Sequence, residues 1–299
     1  MPTETDLDQD AQTVARVIAW FDAFGRTLPW REASDHAWGV LVSEVMLQQT
    51  PVARVIPAWR EWMARWPTPA ALADAEPAEV VRAWGRLGYP IRARRLRECA
   101  AAIVRDHGGV VPADEALLRA LPGLGEYTAA AVASFSFGAR TTVLDTNVRR
   151  VVARAWGGVA QPAGHLTRAE RDAASALVPR DPAASVRWNI GAMELGALVC
   201  LSRAPRCDDC PIRDRCVWFA AGKPGLGCMT GRRQAWVGSD RQVRGRVMAI
   251  LREAVRPVNL TGHADVADVE PGQLDRCLDS LVADGLARVV SAERGTYSL

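Results

Sequence analysis

Residues 114–132 read DEALLRALPGLGEYTAAAV. This is a helix, a tight turn and a second helix. Gly123 and Gly125 let the backbone turn sharply and approach a neighbour closely, because no Cβ intervenes. Free N–H groups at the start of the second helix point outward, at the positive end of its dipole, where an anion is favoured. A phosphate of a DNA backbone fits that description, and such a contact positions a duplex without reading its sequence. LPGLG also occurs as a plain helix–helix turn, so its surroundings decide between the two.

On either side of this segment the punctuation is helical. Ala-rich amphipathic stretches at 11–25, 38–49, 52–65, 77–84, 91–107, 114–120, 126–137, 146–155, 167–177 and 185–199 are separated by Pro and Gly. Residues 1–220 therefore read as almost entirely α. Residues 219–240 are glycine-rich and unpatterned, and read as a linker. From residue 241 the character changes. RQVRGRVMAILREAV and PGQLDRCLDSLVADGL are amphipathic helices, and ARVVSAERGTYSL reads as a two-stranded wing turning at Glu293-Arg294-Gly295. Helices followed by a small hairpin suggest a winged-helix module over 241–299.

Of seven cysteines, Cys99, Cys228 and Cys277 are scattered, and four are bunched as Cys200-x6-Cys207-x2-Cys210-x5-Cys216. The odd count and the polar, acidic start MPTETDLDQD, which is no secretory signal, argue against disulfides. Zinc sites usually present two separated pairs of ligands. Here one CxxC is flanked by single cysteines, a spacing that lets four thiolates wrap a [4Fe–4S] cluster. Zinc is the alternative. Arg203, Arg206, Arg213 and Arg215 nearby suit a negatively charged cluster.

The 299 residues are 49% hydrophobic, a globular composition with room for two or three domains, and net charge is only +3. No run of about 18 apolar residues is free of charge, so no membrane span is expected, and the default compartment is the cytoplasm. Of the 37 basic residues only Lys223 is a lysine. Apart from Lys223 and the N-terminus, the chain offers no amine for Schiff-base chemistry.

In combination, LPGLGEYTAAAV, LDTNVRRVVAR (144–154) and the cysteine spacing resemble the iron–sulfur helix-hairpin-helix DNA glycosylases. The segment SEVMLQQTPVARVIPAW (43–59) narrows the resemblance to the A/G-specific adenine glycosylase (MutY) family. It spans about residues 16–218. It implies a mainly α, two-subdomain glycosylase fold: a six-helix subdomain of about 35–145 and a cluster subdomain from 11–34 and 146–218. The active site would lie in the cleft between them. It further implies a [4Fe–4S] cofactor on Cys200, Cys207, Cys210 and Cys216, and a substrate of double-stranded DNA carrying adenine opposite 8-oxoguanine or guanine. A monomeric bacterial protein acting at the nucleoid would follow.

Glu44 lies among Val40, Leu41, Val42, Val45, Met46 and Leu47. On residues alone it is a helix glutamate. The resemblance makes it the general acid that protonates the departing adenine. Such an acid must keep its proton near pH 7, and apolar enclosure raises a carboxyl from about 4.3 toward that value. Asp145 opens a helix as an N-cap, a role worth about 1 kcal/mol. A capped aspartate stays ionised, and in the resembled enzymes it stabilises the cationic sugar. One protonated and one ionised carboxyl flanking a glycosidic bond is the general logic of glycoside hydrolysis. Asn147 resembles a residue assisting at that site. Tyr127 stands where bifunctional relatives such as endonuclease III have the lysine that cuts the strand, so a monofunctional enzyme is expected.

Flipping the base costs a few kcal/mol. Gln49 and the Leu87-Gly88-Tyr89 turn resemble elements that probe the opposite strand, with Tyr89 as a stacking wedge; Arg31 resembles a residue near the adenine pocket. The sequence departs from the family in three places. Pro90 follows Tyr89 where a second tyrosine is usual. Ile190, two residues after Trp188, stands where Gln or Glu often bonds adenine. The tail is too short and too helical for the larger domain that reads 8-oxoguanine in many members. Competing readings are a strand-cleaving relative, a glycosylase of altered base specificity, and an iron–sulfur DNA-binding regulator. A zinc deaminase is excluded, because no histidine sits in an HxE pattern.

Overall fold

The computed structural model describes residues 4–32, 37–227, 236–291 and 295–299. Helices run over Glu4–Phe24 (α1), Pro29–Glu32 (α2), Ala37–Leu47 (α3), Val52–Arg65 (α4), Pro69–Ala73 (α5), Pro77–Trp84 (α6), Ile91–His107 (α7), Glu115–Ala120 (α8), Glu126–Phe137 (α9), Thr146–Ala155 (α10), Arg168–Ala176 (α11), Pro182–Leu198 (α12), Val217–Ala220 (α13), Asp240–Glu253 (α14) and Pro271–Ala283 (α15). Among the described residues, strands are confined to Val258–Asn259 (β1), Arg288–Ser291 (β2) and Thr296–Ser298 (β3). The protein is therefore mainly α, as the helical punctuation requires. None of the described helices is long and apolar enough to cross a membrane.

Helix starts follow local chemistry. The Thr68, Thr167, Asp181 and Ser239 side chains accept from backbone N–H groups of the helices they precede. Pro77, Pro182 and Pro271 occupy first helical positions, where the missing N–H costs nothing.

Backbone contacts divide the chain into two units. One comprises Met1–Glu44, Pro112–Ala120 and Leu124–Thr230; the other comprises Val45–Val111, Leu121–Gly123 and Gly231–Leu299. In the first unit α1, α10 and α12 bury Val14, Val17, Val151, Trp188, Ala192 and Leu195 against one another. In the second, Trp62 packs edge-on against Trp66 and Trp84, with ring centroids 4.8 and 5.4 Å away.

The C-terminal residues fall in the second unit, and packing explains why. The apolar cluster of Val247, Leu251, Leu278 and Leu281 continues into Val81 of α6 and rests on Ile91 of α7. Arg252 Nη1 donates to the Gly85 carbonyl at 2.8 Å, Arg82 Nη2 donates to the Ala254 carbonyl at 3.3 Å, and Arg94 reaches the Asp284 carbonyl. Within this module the order is α14, β1, a 3-10 turn, α15, β2 and β3, with an antiparallel sheet ordered β1-β3-β2. Val258 pairs with Tyr297, which also faces Val289. Glu293 and Arg294 of the expected wing turn lie outside the described residues; Gly295 adopts φ 55°.

Leu281 is fully buried in this cluster. Leu281→Ala is expected to lower stability by about 2–5 kcal/mol, read as a shifted urea midpoint at unchanged slope.

Candidate active site

Glu44 is carried by α3, whose mostly apolar sequence buries it from several sides: Leu41 and Val42 are inaccessible and Glu44 itself is 3% exposed. Desolvation by that burial pushes its carboxyl from 4.5 up to about 7. The Tyr127 hydroxyl donates to Glu44 Oε2 at 2.8 Å and opposes the shift. The charge of Asp145 adds to it, and that of Arg31 subtracts. Tyr127, at the start of α9, has its own pKa pushed well above 10 by burial and by Glu44, so it stays a donor.

Asp145 caps α10. Its Oδ1 accepts from the N–H groups of Asn147 and Val148 at 2.8 and 2.7 Å, and its Oδ2 accepts from Asn147 Nδ2 at 2.6 Å. The capping role expected from sequence is present, but its consequence is weaker than expected. Burial outweighs the three hydrogen bonds, and the net shift of Asp145 is upward. Asn147 is held in turn: its Oδ1 accepts from Arg150 Nη2 at 2.8 Å. Helix α12 packs close beneath, where a Cβ on Gly196 would fall 2.6 Å from the Asn147 Cβ.

Arg31 Nη2 donates to Glu194 Oε1 at 2.9 Å, and Arg26 grips the same carboxylate at 2.6 and 2.9 Å. Burial alone would raise Glu194, but these two guanidiniums outweigh it and hold its carboxyl below the usual range. Sequence reasoning missed Glu194. It lies one turn beyond the half-buried Ile190 on α12, and nothing local marks it, since its partners are some 160 residues away.

The four clustered cysteines line one pocket, walled by Val199, Trp218 and Phe219. Among the described residues no group of three or more is arranged to hold a single metal ion. The cationic surroundings differ from those expected. Arg206, Arg213 and Arg215 pair with Asp209, Asp208 and Asp214. The guanidinium directed at a sulfur is that of the fully buried Arg154, whose Nη1 lies 3.4 Å from Cys200 Sγ and whose Cζ lies 4.4 Å from the Trp218 ring centroid. Arg150 Nε donates to the Cys200 carbonyl at 2.7 Å.

In the second unit, Gln49 and Tyr89 are two of only three described non-glycine residues with positive φ, at 56° and 47°. Such strain costs of order 1–3 kcal/mol and persists only where the surroundings impose it. Arg92 imposes it here. Its Nη1 donates to the carbonyls of Val45, Met46 and Gln48, and its Nη2 to Thr50 Oγ1 and the carbonyls of Leu87 and Gly88. One guanidinium thus ties the Gln49 turn to the Leu87–Tyr89 turn. Trp84 Nε1 adds a bond to the Gly88 carbonyl at 2.9 Å. Burial lowers the Arg92 pKa to about 10, still fully charged near neutrality. Leu87 is buried, whereas Gln49 and Tyr89 are exposed. Sequence reasoning missed Arg92, which looks like any arginine in the run Arg92-Ala-Arg-Arg.

The hairpin turn forms as expected. Gly123 has φ 78°, and a Cβ there would meet Arg95 at 2.9 Å. Gly125 caps α9 with no side-chain acceptor, and the space its Cβ would occupy is open.

Residues 42–174 match the model of the HhH-GPD superfamily base excision DNA repair proteins. In fold the chain resembles a thermostable thymine-DNA glycosylase, with TM-score 0.65 and 25% identity over 72% of this chain and 98% of that one. The hairpin, the buried carboxyls and this match define a helix-hairpin-helix base excision protein. Adenine DNA glycosylases of Mycobacterium tuberculosis (strain CDC 1551 / Oshkosh) and Mycolicibacterium smegmatis are each 50% identical to it, over 90% of this chain and 88% and 90% of theirs. The chain belongs to the adenine DNA glycosylase family.

The raised pKa of Glu44 has a thermodynamic sign. The folded carboxyl holds its proton to about 7, the unfolded one only to 4.5. The stability tied to that proton is fully present below 4.5, falls as pH rises toward 7, and stays lost above it. Glu44→Gln removes the titration. The variant is expected to exceed wild type by about 1–3 kcal/mol at alkaline pH and to lose that advantage in acid, measured by chemical denaturation across pH.

Proposed function

We propose that the protein is a monofunctional DNA glycosylase that hydrolyses the N-glycosidic bond of adenine in duplex DNA, acting on adenine opposite 8-oxoguanine or guanine. The observation that carries this reading is the buried carboxyl of Glu44, protonated up to about pH 7 and held by Tyr127, near an Asp145 that takes three hydrogen bonds. Adenine leaves poorly as an anion. Glu44 gives its proton to a ring nitrogen, so that the base departs neutral with the bonding electron pair. The sugar becomes an oxocarbenium ion, and the Asp145 carboxylate stabilises it. Asn147 fixes the orientation of that carboxylate. Water adds to the anomeric carbon and releases a proton to the emptied Glu44, leaving an abasic site. Tyr127 supplies no amine, and the sole lysine, Lys223, lies beside Phe219 with its Nζ 5.7 Å from that ring centroid. The strand therefore stays intact.

DNA would be held by the uncapped N-terminus of α9 on a backbone phosphate. The flipped-out state would be held open by Tyr89, with Gln49 probing beside it. Arg31, fixed by Glu194, would sit near the base, where Ile190 offers no hydrogen bond.

The four cysteines fit a [4Fe–4S] cluster better than a lone ion. They face one pocket, the walls are apolar, and Arg150 and Arg154 supply positive charge around an anionic cofactor. Cys200, Cys207, Cys210 and Cys216 would hold it. When bound, it would brace the 200–216 loop and contribute local charge.

Two measurements test this reading. In single-turnover assays the wild type is expected to release adenine opposite 8-oxoguanine and guanine, with strand breaks appearing only after alkali and no efficient borohydride-trapped adduct. The rate should fall about tenfold per pH unit once Glu44 loses its proton above about 7. A rate that keeps rising through pH 9 contradicts the assignment of Glu44 as the acid. For the cofactor, elemental analysis is expected to find about four irons per chain, with Cys210→Ser losing the visible absorbance. One zinc per chain would replace the cluster reading.

A further inference from the structure

The exposed face beside the wedge is not built by residues 45–111 alone. Helix α14 brings Arg241 over Tyr89, with its Cζ 4.9 Å from the ring centroid, and Trp236 lies on the same guanidinium at 5.4 Å. Tyr89 is 43% and Trp236 53% exposed, so both rings are open to solvent beside the guanidinium they share. The position of Arg241 is fixed. Ser239 caps α14 by accepting from the Gln242 N–H, and α14 itself is anchored on α6 and α7 through the cluster that contains Val81. The charge of Arg241 is not spent on a neighbour. The adjacent Asp240 is engaged by Arg276 and Gln273, and no ion pair joins Arg241 to a described carboxylate.

We propose that Arg241 is a specificity-determining residue that reads the base left unpaired opposite the flipped adenine, and that it favours guanine or its oxidised form there. This rests on the reading of Tyr89 as the wedge. A tyrosine that enters a base stack brings with it whatever is stacked on its ring. Successive bases are about 3.4 Å apart, so a guanidinium 4.9 Å from the ring centroid lies at the level of the neighbouring base rather than out at the phosphates. A guanidinium presents five donors in a planar fork, and a guanine edge is its most frequent specific partner. Trp236 also lies against that guanidinium, so two rings hold it in place before DNA arrives. In this chain the winged-helix-like module thus takes a part in recognition that does not require a large additional domain.

The test is equilibrium binding of the full-length wild type and Arg241→Ala to three duplexes. Each carries a non-hydrolysable 2′-fluoro adenosine; opposite it stands guanine, 8-oxoguanine or an abasic analogue. Arg241→Ala is expected to weaken binding about tenfold or more opposite the two purines and to leave the abasic duplex within about twofold. Arg241→Lys, which keeps the charge and loses the fork, should recover little of the purine preference. Unchanged iron content and melting temperature in the variants establish that the fold is intact. An equal loss on all three duplexes, repaired by lysine, would mean that Arg241 holds a phosphate, and the proposal falls. No loss on any duplex also overturns it. Failure of the wild type to release adenine from unmodified duplexes would instead sink the glycosylase reading, while the binding ratios would still decide the role of Arg241.

Discussion

Removing the Glu44 carboxyl from water is the constraint on which the arrangement of the first unit depends. Charged, that group would cost several kcal/mol in an apolar helix face; protonated, it costs far less and becomes an acid usable at neutral pH. Its surroundings serve both ends. Helix α3 supplies the apolar enclosure, α9 the one hydroxyl donor, and the cap of α10 a second carboxyl with three donors of its own. A single donor leaves Glu44 inclined to keep its proton, while three donors favour the ionised form of Asp145 against the same kind of burial. Close packing of α10 on α12 at Gly196 keeps Asn147 in place, and Asn147 keeps Asp145 in place.

A different kind of constraint governs the second unit. Two exposed residues stand in backbone conformations that an unsupported chain would relax, and one buried guanidinium with six acceptors prevents it. The carbonyls of both turns converge on Arg92, with Trp84 Nε1 adding a bond to Gly88 and Thr50 Oγ1 one to Leu87. The arrangement fixes the backbone of both turns while Gln49 and Tyr89 remain exposed.

Much of this was legible in sequence. The bounds of α4, α6, α7, α9 and α10 follow from Pro and Gly punctuation, because those residues act through local backbone chemistry. The short α2 and α5 escaped, since four or five residues carry too little periodicity. Glu44, Tyr127 and Asp145 could be singled out by motif, and the structure brings them together. Arg92, Arg154 and Glu194 could not be found, because a buried charge is recognised only by partners distant along the chain. The arginines of the cysteine loop misled for the converse reason. They are close in sequence to the thiols, but they answer the aspartates between them. The two strands at the end of the tail were legible, but β1 at Val258–Asn259 was not; nor was the attachment to α6 and α7, because an apolar helix face does not say what it will cover.

The order in which the chain leaves the ribosome gives that attachment a further meaning. Residues 45–111 emerge early, yet the module that covers Val81 and Ile91 is made only after the whole first unit has been synthesised. For much of translation this apolar surface has no native partner, so it forms a late, non-local contact of the kind that slows folding and invites association between nascent chains. Tyr89 and the Arg241 that stacks on it therefore come together last. A chain truncated before residue 231 would release the first unit with its buried carboxyls together with an uncovered adhesive patch.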